Sequence, residues 1–188
     1  MNLKKFSVLF KFCILLLLFS FCSGGEAIVK EIGTFPTIEG NNLNKVSKKV
    51  PDDFVERDLI VILAFQQWHQ PLVDETIESL ESNDLDERYN IIEVPTIGPF
   101  NKLGQMYLDG TMRAAIRDDF VRDRTITVYL NKEELRNALD IPNEDTIYWF
   151  MVKKGSSSIL LRGEGVISES EIEELKDLPW KHYCGIKN

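Results

Sequence analysis

Residues 58–80, DLIVILAFQQWHQPLVDETIESL, constrain the fold more than any other stretch of this chain. Leu59 to Phe65 is an unbroken apolar run rich in β-branched residues. Such a run is expected of a central strand covered on both faces rather than of a strand with one wet side. A polar, Trp-centred turn, Gln66-Gln67-Trp68-His69-Gln70, follows it. Pro71 then suits the first turn of a helix, where its missing N–H costs nothing. Val73, Ile77 and Leu80 recur at helical spacing with Asp74, Glu75 and Glu78 between them. The stretch therefore predicts a buried strand, a tight turn and an amphipathic helix, with residues 66–70 displayed where strand passes into helix.

The chain opens with Lys4, Lys5 and Lys11, an apolar run over 14–19, and the small residues Ser23, Gly24 and Gly25. That pattern is an export signal. The apolar core is too short to span a bilayer as a stable helix, which takes about 20 residues. Lipid modification at Cys22 is the favoured processing route, with Ser-Gly-Gly beginning a flexible tether, although Phe19-Ser20-Phe21 departs from the small residues such sites usually carry. Ordinary cleavage near Gly24 is the second route, and an uncleaved anchor the least favoured. The expected organisation is a signal over 1–22, a tether with an edge strand around 44–50 within 23–49, and a single domain over 50–188. The expected location is across a bacterial inner membrane, as a periplasm-facing lipoprotein or, second, a soluble periplasmic protein.

Without residues 1–21 the chain keeps 19 basic residues against 30 acidic ones, a net charge of −11. Phosphate recognition needs a concentrated basic surface, so no nucleic-acid partner is expected. Of three cysteines, Cys13 and Cys22 belong to the export segment and Cys184 to the tail. No disulfide framework follows from that count, although an unlipidated Cys22 could pair with Cys184.

Downstream, 89–97 reads as a second buried strand broken by Pro95, and 100–116 as a long helix that Gly110 kinks or splits. Leu103, Met106, Tyr107, Leu108 and Met112 fall on or near one side of it. A charge-dense stretch over 117–124 leads to a strand over 125–130. Asn131 with Glu134 marks a short helix, 146–152 and 158–162 form a hairpin, and Ser168 with Glu171 caps a last helix carrying Ile172, Leu175 and Leu178. Strands alternating with helices predict an α/β domain with a mostly parallel sheet and a late antiparallel edge.

Residues 59–72 resemble the strand, Trp turn and helix of thioredoxin-like proteins, whose turn reads Trp-Cys-Gly-Pro-Cys where this chain has Trp68-His69-Gln70-Pro71-Leu72. Residues 148–165 resemble the terminal hairpin of peroxiredoxin-like members, and 168–178 their closing helix. The combination of AFQQWHQ, MRAAIRDDFVRDRTITVYL and WFMVKKGSSSILLRGEG is similar to the mitochondrial ATP synthase assembly factor ten family and its bacterial relatives. This resemblance covers about 50–178. It implies a three-layer thioredoxin-like fold with a mostly parallel central sheet and a terminal antiparallel hairpin, and, from the mitochondrial members, a role in assembling a membrane complex. Both thiols of the redox motif are absent. The cis-proline that faces them in redox members is matched near Ile147, which is very unfavourable in cis by about 2.5–4 kcal/mol.

Dithiol exchange needs an activated thiolate and a resolving sulfur, and neither His69 nor Leu72 supplies one. No disulfide reductase activity, cofactor or metal is therefore expected, and the two histidines with Cys184 lack metal-ligand spacing. Hydrolase and phosphate-loop motifs are missing. The candidate binding residues are Gln67, Trp68, His69 and Gln70 on the turn, with Arg113, Arg117 and Arg124, joined by Arg122, as a group that could converge on an anion or an acidic partner segment. Against these stand three plainer readings: His69 as a solvent-facing turn residue, Trp68 as ordinary core, and the arginines as a face salt-bridged to Asp118, Asp119 and Asp123. The expected function is a lipid-anchored binding or assembly module for another protein at a membrane surface. The alternatives are an enzyme built on His69 and the arginines, or a degenerate peroxiredoxin relative.

Overall fold

A computed structural model describes residues 30–178. Eight strands and five α-helices follow the order β1 (Gly33–Thr34), β2 (Ile38–Asn42), β3 (Ser47–Val50), β4 (Leu59–Ala64), α1 (Gln70–Glu81), β5 (Asn90–Ile97), α2 (Lys102–Ala115), α3 (Asp119–Arg124), β6 (Ile126–Tyr129), α4 (Lys132–Ala138), β7 (Tyr148–Val152), β8 (Ser158–Glu164) and α5 (Glu169–Asp177). The sheet order is β1-β8-β7-β4-β5-β6-β2-β3.

Strand β4 is the axis. It pairs parallel with β5, Leu59 opposite Asn90 through Ala64 opposite Pro95, and antiparallel with β7, Leu59 opposite Val152 through Leu63 opposite Tyr148. Its side chains alternate between two cores, as the period of a strand requires. Leu59, Val61 and Leu63 pack with Phe35, Val94, Val128, Leu135 and Phe150. Ile60 and Ile62 pack with Val73, Ile77, Leu80, Trp149, Ile172 and Leu175. Helices α1 and α5 thus cover one face and α4 the other, which is the expected three-layer arrangement. The α5 helix is fixed by the Ser168–Glu171 capping box and by the Tyr89 hydroxyl donating to the Leu175 carbonyl at 2.8 Å.

Four expectations are corrected. The sheet is mixed rather than mostly parallel: of the seven strand pairings, only β4–β5 and β5–β6 are parallel. The reason is that β7 inserts beside β4 in the reverse direction, while β2 and β3 extend the far edge as an antiparallel ribbon. Second, residues 33–50 are not a tether with one edge strand. They supply three strands, and Phe35, Ile38, Leu43 and Val50 are buried. Phe35 meets Phe150 edge to face at 5.6 Å, so this segment completes a core that 50–178 would leave open. The expected signal and lipidation site, residues 1–22, lie outside the described residues.

Third, α2 is continuous through Gly110 and none of its residues is buried. Asn101 caps it, its side chain accepting from the Gly104 N–H at 2.9 Å. Fourth, Pro95 does not break β5, because it falls opposite the last residue of β4. The charged stretch before β6 folds as α3, with Asp118 as its N-cap accepting from the N–H groups of Phe120 and Val121. Tight packing around the β7–β8 hairpin fixes one glycine: a Cβ at Gly163 would stand 2.3 Å from the Trp149 ring.

Candidate functional site

The chain leaves β4 through Phe65 and enters a single turn of 3₁₀-helix over Gln67–His69 before α1 begins. Successive residues of a 3₁₀ turn point about 120° apart, so neighbouring side chains cannot share a direction. Trp68 accordingly faces outward, 68% exposed, and His69 inward, 0% exposed, with the two rings perpendicular at 5.9 Å. Gln67 and Gln70 lie exposed beside Trp68. Trp68 is thus not core, and His69 is not the solvent-facing turn residue expected from its position.

The His69 ring closes the turn on itself. Its Nδ1 accepts the Phe65 N–H at 3.3 Å, which places the ring proton on Nε2, where the Glu144 carbonyl is close enough to be felt but outside good hydrogen-bond geometry. Burial holds the imidazole below its ordinary pKa, and the Lys132 ammonium pushes the same way. The Glu144 backbone carbonyl, followed by the Glu144 and Asp145 carboxylates, opposes them. A neutral, buried ring with one nitrogen already committed to the backbone holds the loop. It is not placed to meet a metal or a substrate from solvent.

A second lock lies alongside. Glu144 accepts from the Gln66 amide at 2.8 Å and from Lys132 Nζ at 3.0 Å, with Arg136 Nε at 3.5 Å, while Lys132 also donates to the Phe65 carbonyl at 2.6 Å. These contacts tie the exit of β4 to α4 and to the loop before β7. The peptide bond before Ile147, at the start of β7, is trans; the cis bond among the described residues is Val50–Pro51.

The predicted arginines do not converge. Arg113 donates to the Leu43 carbonyl, Arg124 pairs with Glu81 and lies 5.4 Å over the Phe120 ring, and Arg117 is exposed. Arg122 bridges the Ile116 and Arg113 carbonyls at 2.6 and 3.0 Å and pairs with Asp119 at 3.0 Å. These are the joints between α2, α3 and the β2 edge. Asp118 and Asp123 are engaged elsewhere, the first as a cap and the second accepting from Asn42 Nδ2 at 2.6 Å.

Between α1, the end of β5 and α2 lies a cleft of about 790 Å³, bordered by Gln66, Gln67 and Gln70 of the turn. The α2 helix faces it with Leu108, Thr111, Met112 and Ala115 and turns Leu103, Met106 and Tyr107 to solvent, so its apolar residues form two stripes instead of one. The Tyr129 hydroxyl, donating to Asp109 at 2.7 Å, holds the polar side of α2. Glu93 of β5 lines the cleft at 4% exposure. It was not singled out in the sequence, where a carboxylate interrupting Ile91-Ile92-Val94 was the available sign; Lys132 and Glu144 gave none. Among the described residues no three His, Cys, Asp or Glu side chains gather where a metal ion could sit, and no helix is long and apolar enough to cross a membrane.

No family model and no curated protein matches the chain. Solved structures do. The thioredoxin domain of a thiol-disulfide oxidoreductase from Bacteroides vulgatus superposes with a TM-score of 0.52 at 14% identity, over 78% of this chain and 96% of that one. The pneumococcal exposed lipoprotein thioredoxin of Streptococcus pneumoniae gives 0.51 at 10% identity, over 76% and 100%. A thiol-disulfide oxidoreductase from Bacteroides fragilis gives 0.50 at 15%, over 78% and 99%. At these identities the likeness is one of fold, and the fold is thioredoxin-like.

Proposed function

We propose that this chain is a thioredoxin-like binding module that works without dithiol exchange, held at a membrane surface by a lipid on Cys22 and engaging a protein partner through Trp68, Gln67 and Gln70. One observation carries the reading: the turn that would bear the redox pair presents an exposed Trp68 over a buried His69. All three cysteines lie outside residues 30–178. An exposed indole on a rigid turn is the kind of side chain that anchors protein interfaces. The two locks at His69 and Glu144 hold that turn in one shape, which lowers the ordering cost of binding.

Export is supported by the basic and apolar start of the chain, and a lipoprotein is among the solved structures of like fold. The segments similar to the ATP synthase assembly factor ten family extend the proposal to helping a membrane complex assemble. An enzyme built on His69 and the arginines is less well supported, since His69 is inside and Arg113, Arg122 and Arg124 are bound within the fold, which leaves Arg117 as the exposed one of the group.

The test is a pull-down of the full chain from membranes with Trp68→Ala. That variant changes an exposed residue and should alter stability by no more than about 0.5 kcal/mol, yet it should lose the partner retained by the unmodified chain. Retention of the same partner by Trp68→Ala would refute the surface. Radioactive fatty-acid labelling should mark the unmodified chain and not Cys22→Ala, and insulin-disulfide reduction should be absent. Reduction that survives Cys184→Ser would refute the non-redox reading.

A further inference from the structure

Beneath the Trp68 turn, the cleft between α1 and α2 has a composition that recognition by an exposed indole does not explain. Its walls are apolar, formed by Ile77, Ile97, Leu108, Met112 and Ile116. Its volume of about 790 Å³ lies within the range of roughly 300–1,000 Å³ typical of small-molecule sites.

The charge of this cleft is one-sided. Four ionisable side chains line it: Asp74, Glu93, Arg124 and Lys132. Both cations are already neutralised, Arg124 by Glu81 and Lys132 by Glu144. Among the described residues, no cation lies within ion-pair distance of either carboxylate. Glu93 accepts from the Thr125 hydroxyl through Oε1 and from the Gln70 amide through Oε2 at 3.3 Å; the same amide donates to Asp74 at 2.9 Å. A carboxylate offers about four acceptor directions, so both oxygens of Glu93 keep capacity for further donors. Taking a carboxylate out of water without a countercharge is costly, and a cation delivered to it inside an apolar cleft recovers much of that cost. Thr125 and Gln70 hold the carboxylate from two sides, which fixes where the cation must sit.

We propose that this cleft is a binding site for an aliphatic cation, a single ammonium or guanidinium head on an apolar chain, with the head paired to Glu93 and the chain laid between Ile77 and Met112. The proposal shares Gln70 with the partner surface at Trp68 but does not use the exposed indole. It rests on the carboxylate at the floor of an apolar cleft, and it excludes aliphatic anions.

The probe is n-octylammonium, titrated into the full chain by calorimetry at 0.15 M salt, with n-butylammonium, octan-1-ol and octanoate as comparisons. Each added methylene should tighten ammonium binding by about fourfold, the factor equivalent to about 0.8 kcal/mol per buried CH₂. Octan-1-ol, which offers no positive charge, should bind at least about tenfold more weakly than octylammonium, and octanoate weaker still, since hydrogen bonds to charged groups outweigh neutral ones. Glu93→Gln is nearly isosteric: its amide oxygen can accept from Gln70 and its NH2 can donate to the Thr125 hydroxyl, whose own proton goes to the Val121 carbonyl at 2.7 Å. It should bring octylammonium down to the level of octan-1-ol. Met112→Trp, which fills the cleft without touching the carboxylate, should weaken every chain-bearing probe alike. Absence of octylammonium binding, equal binding of octan-1-ol and octylammonium, or undiminished binding by Glu93→Gln would each overturn the proposal. The comparison of probes on the unmodified chain needs no variant, so the test holds even if Glu93→Gln does not fold.

Discussion

Acidification should unlock the Trp68 turn through His69, and the size of the effect follows from the ring's surroundings. The imidazole is fully buried, and its Nδ1 must remain an acceptor for the Phe65 N–H. Protonation would turn that acceptor into a donor facing another donor and would place a second positive charge near Lys132. Burial therefore holds the folded-state pKa below 6.5, the value the unfolded chain is expected to show. With the folded pKa lowered, the unfolded chain binds the proton first as pH falls. The contribution of the neutral ring is then fully present above pH 6.5 and is eroded as pH drops from there toward the folded pKa. One proton sets the slope at no more than about 1.4 kcal/mol per pH unit within that window.

Urea unfolding followed by far-ultraviolet circular dichroism at half-unit steps from pH 7.5 to 5.0 measures this. It should be done in a His182→Gln background so that the other histidine does not titrate. The comparison is His69→Gln, whose amide oxygen can still accept from Phe65. At pH 7.5 the variant should be less stable by about 1–3 kcal/mol, the typical cost of disturbing a buried hydrogen-bonded group. The gap should close as pH falls below 6.5, because only the histidine chain pays for staying neutral. Parallel stability profiles from pH 7 to 5 would refute the account of a buried neutral ring. Nitrogen NMR of the ring gives an independent check, since the Nε2–H tautomer should dominate at pH 7.5.

Two further predictions concern the frame that carries the site. Phe35→Ala removes a fully buried ring from the core it shares with Phe150 and should cost about 3–5 kcal/mol, read as a lowered urea midpoint. A cost near zero would mean that residues 33–50 do not belong to the domain. Gly163→Ala sets a methyl against the Trp149 ring and should cost about 1–3 kcal/mol by overpacking, with a changed near-ultraviolet dichroism from that indole. An unchanged spectrum and midpoint would show that the ring has room to move.

The strand–turn–helix at 59–81 was readable from the sequence because an apolar run, a proline and a helical repeat are local signals, each agreeing with the next. The same holds for the capping box at Ser168 and Glu171 and for the β7–β8 hairpin. Direction in the sheet was not readable. Whether β7 runs with or against β4 depends on which strand of the terminal hairpin reaches the centre, a matter of packing between segments some 90 residues apart. The strand register sets Leu63 opposite Tyr148. The strands of residues 33–50 are not legible for a related reason: Phe35, Ile38 and Leu43 are spread among glycines, asparagines and a proline, and their burial exists only against Phe150 and the β6 edge.

The candidate site divides in the same way. Composition alone determined that residues 30–178 contain no thiol, and local pattern determined that Trp68 and His69 sit at the junction of strand and helix. Which of the two faces water was decided by the 3₁₀ turn, because one residue of rotation exchanges inside for outside. The arginines, close in sequence, are separated because Arg113 and Arg122 serve backbone carbonyls after β2 and at the end of α2 while Arg124 pairs with the Glu81 carboxylate. Glu93, by contrast, was gathered with Gln70 and Thr125 only by the parallel pairing of β4, β5 and β6. A carboxylate within an apolar strand is a local anomaly, but only the tertiary structure gives it a cleft to face.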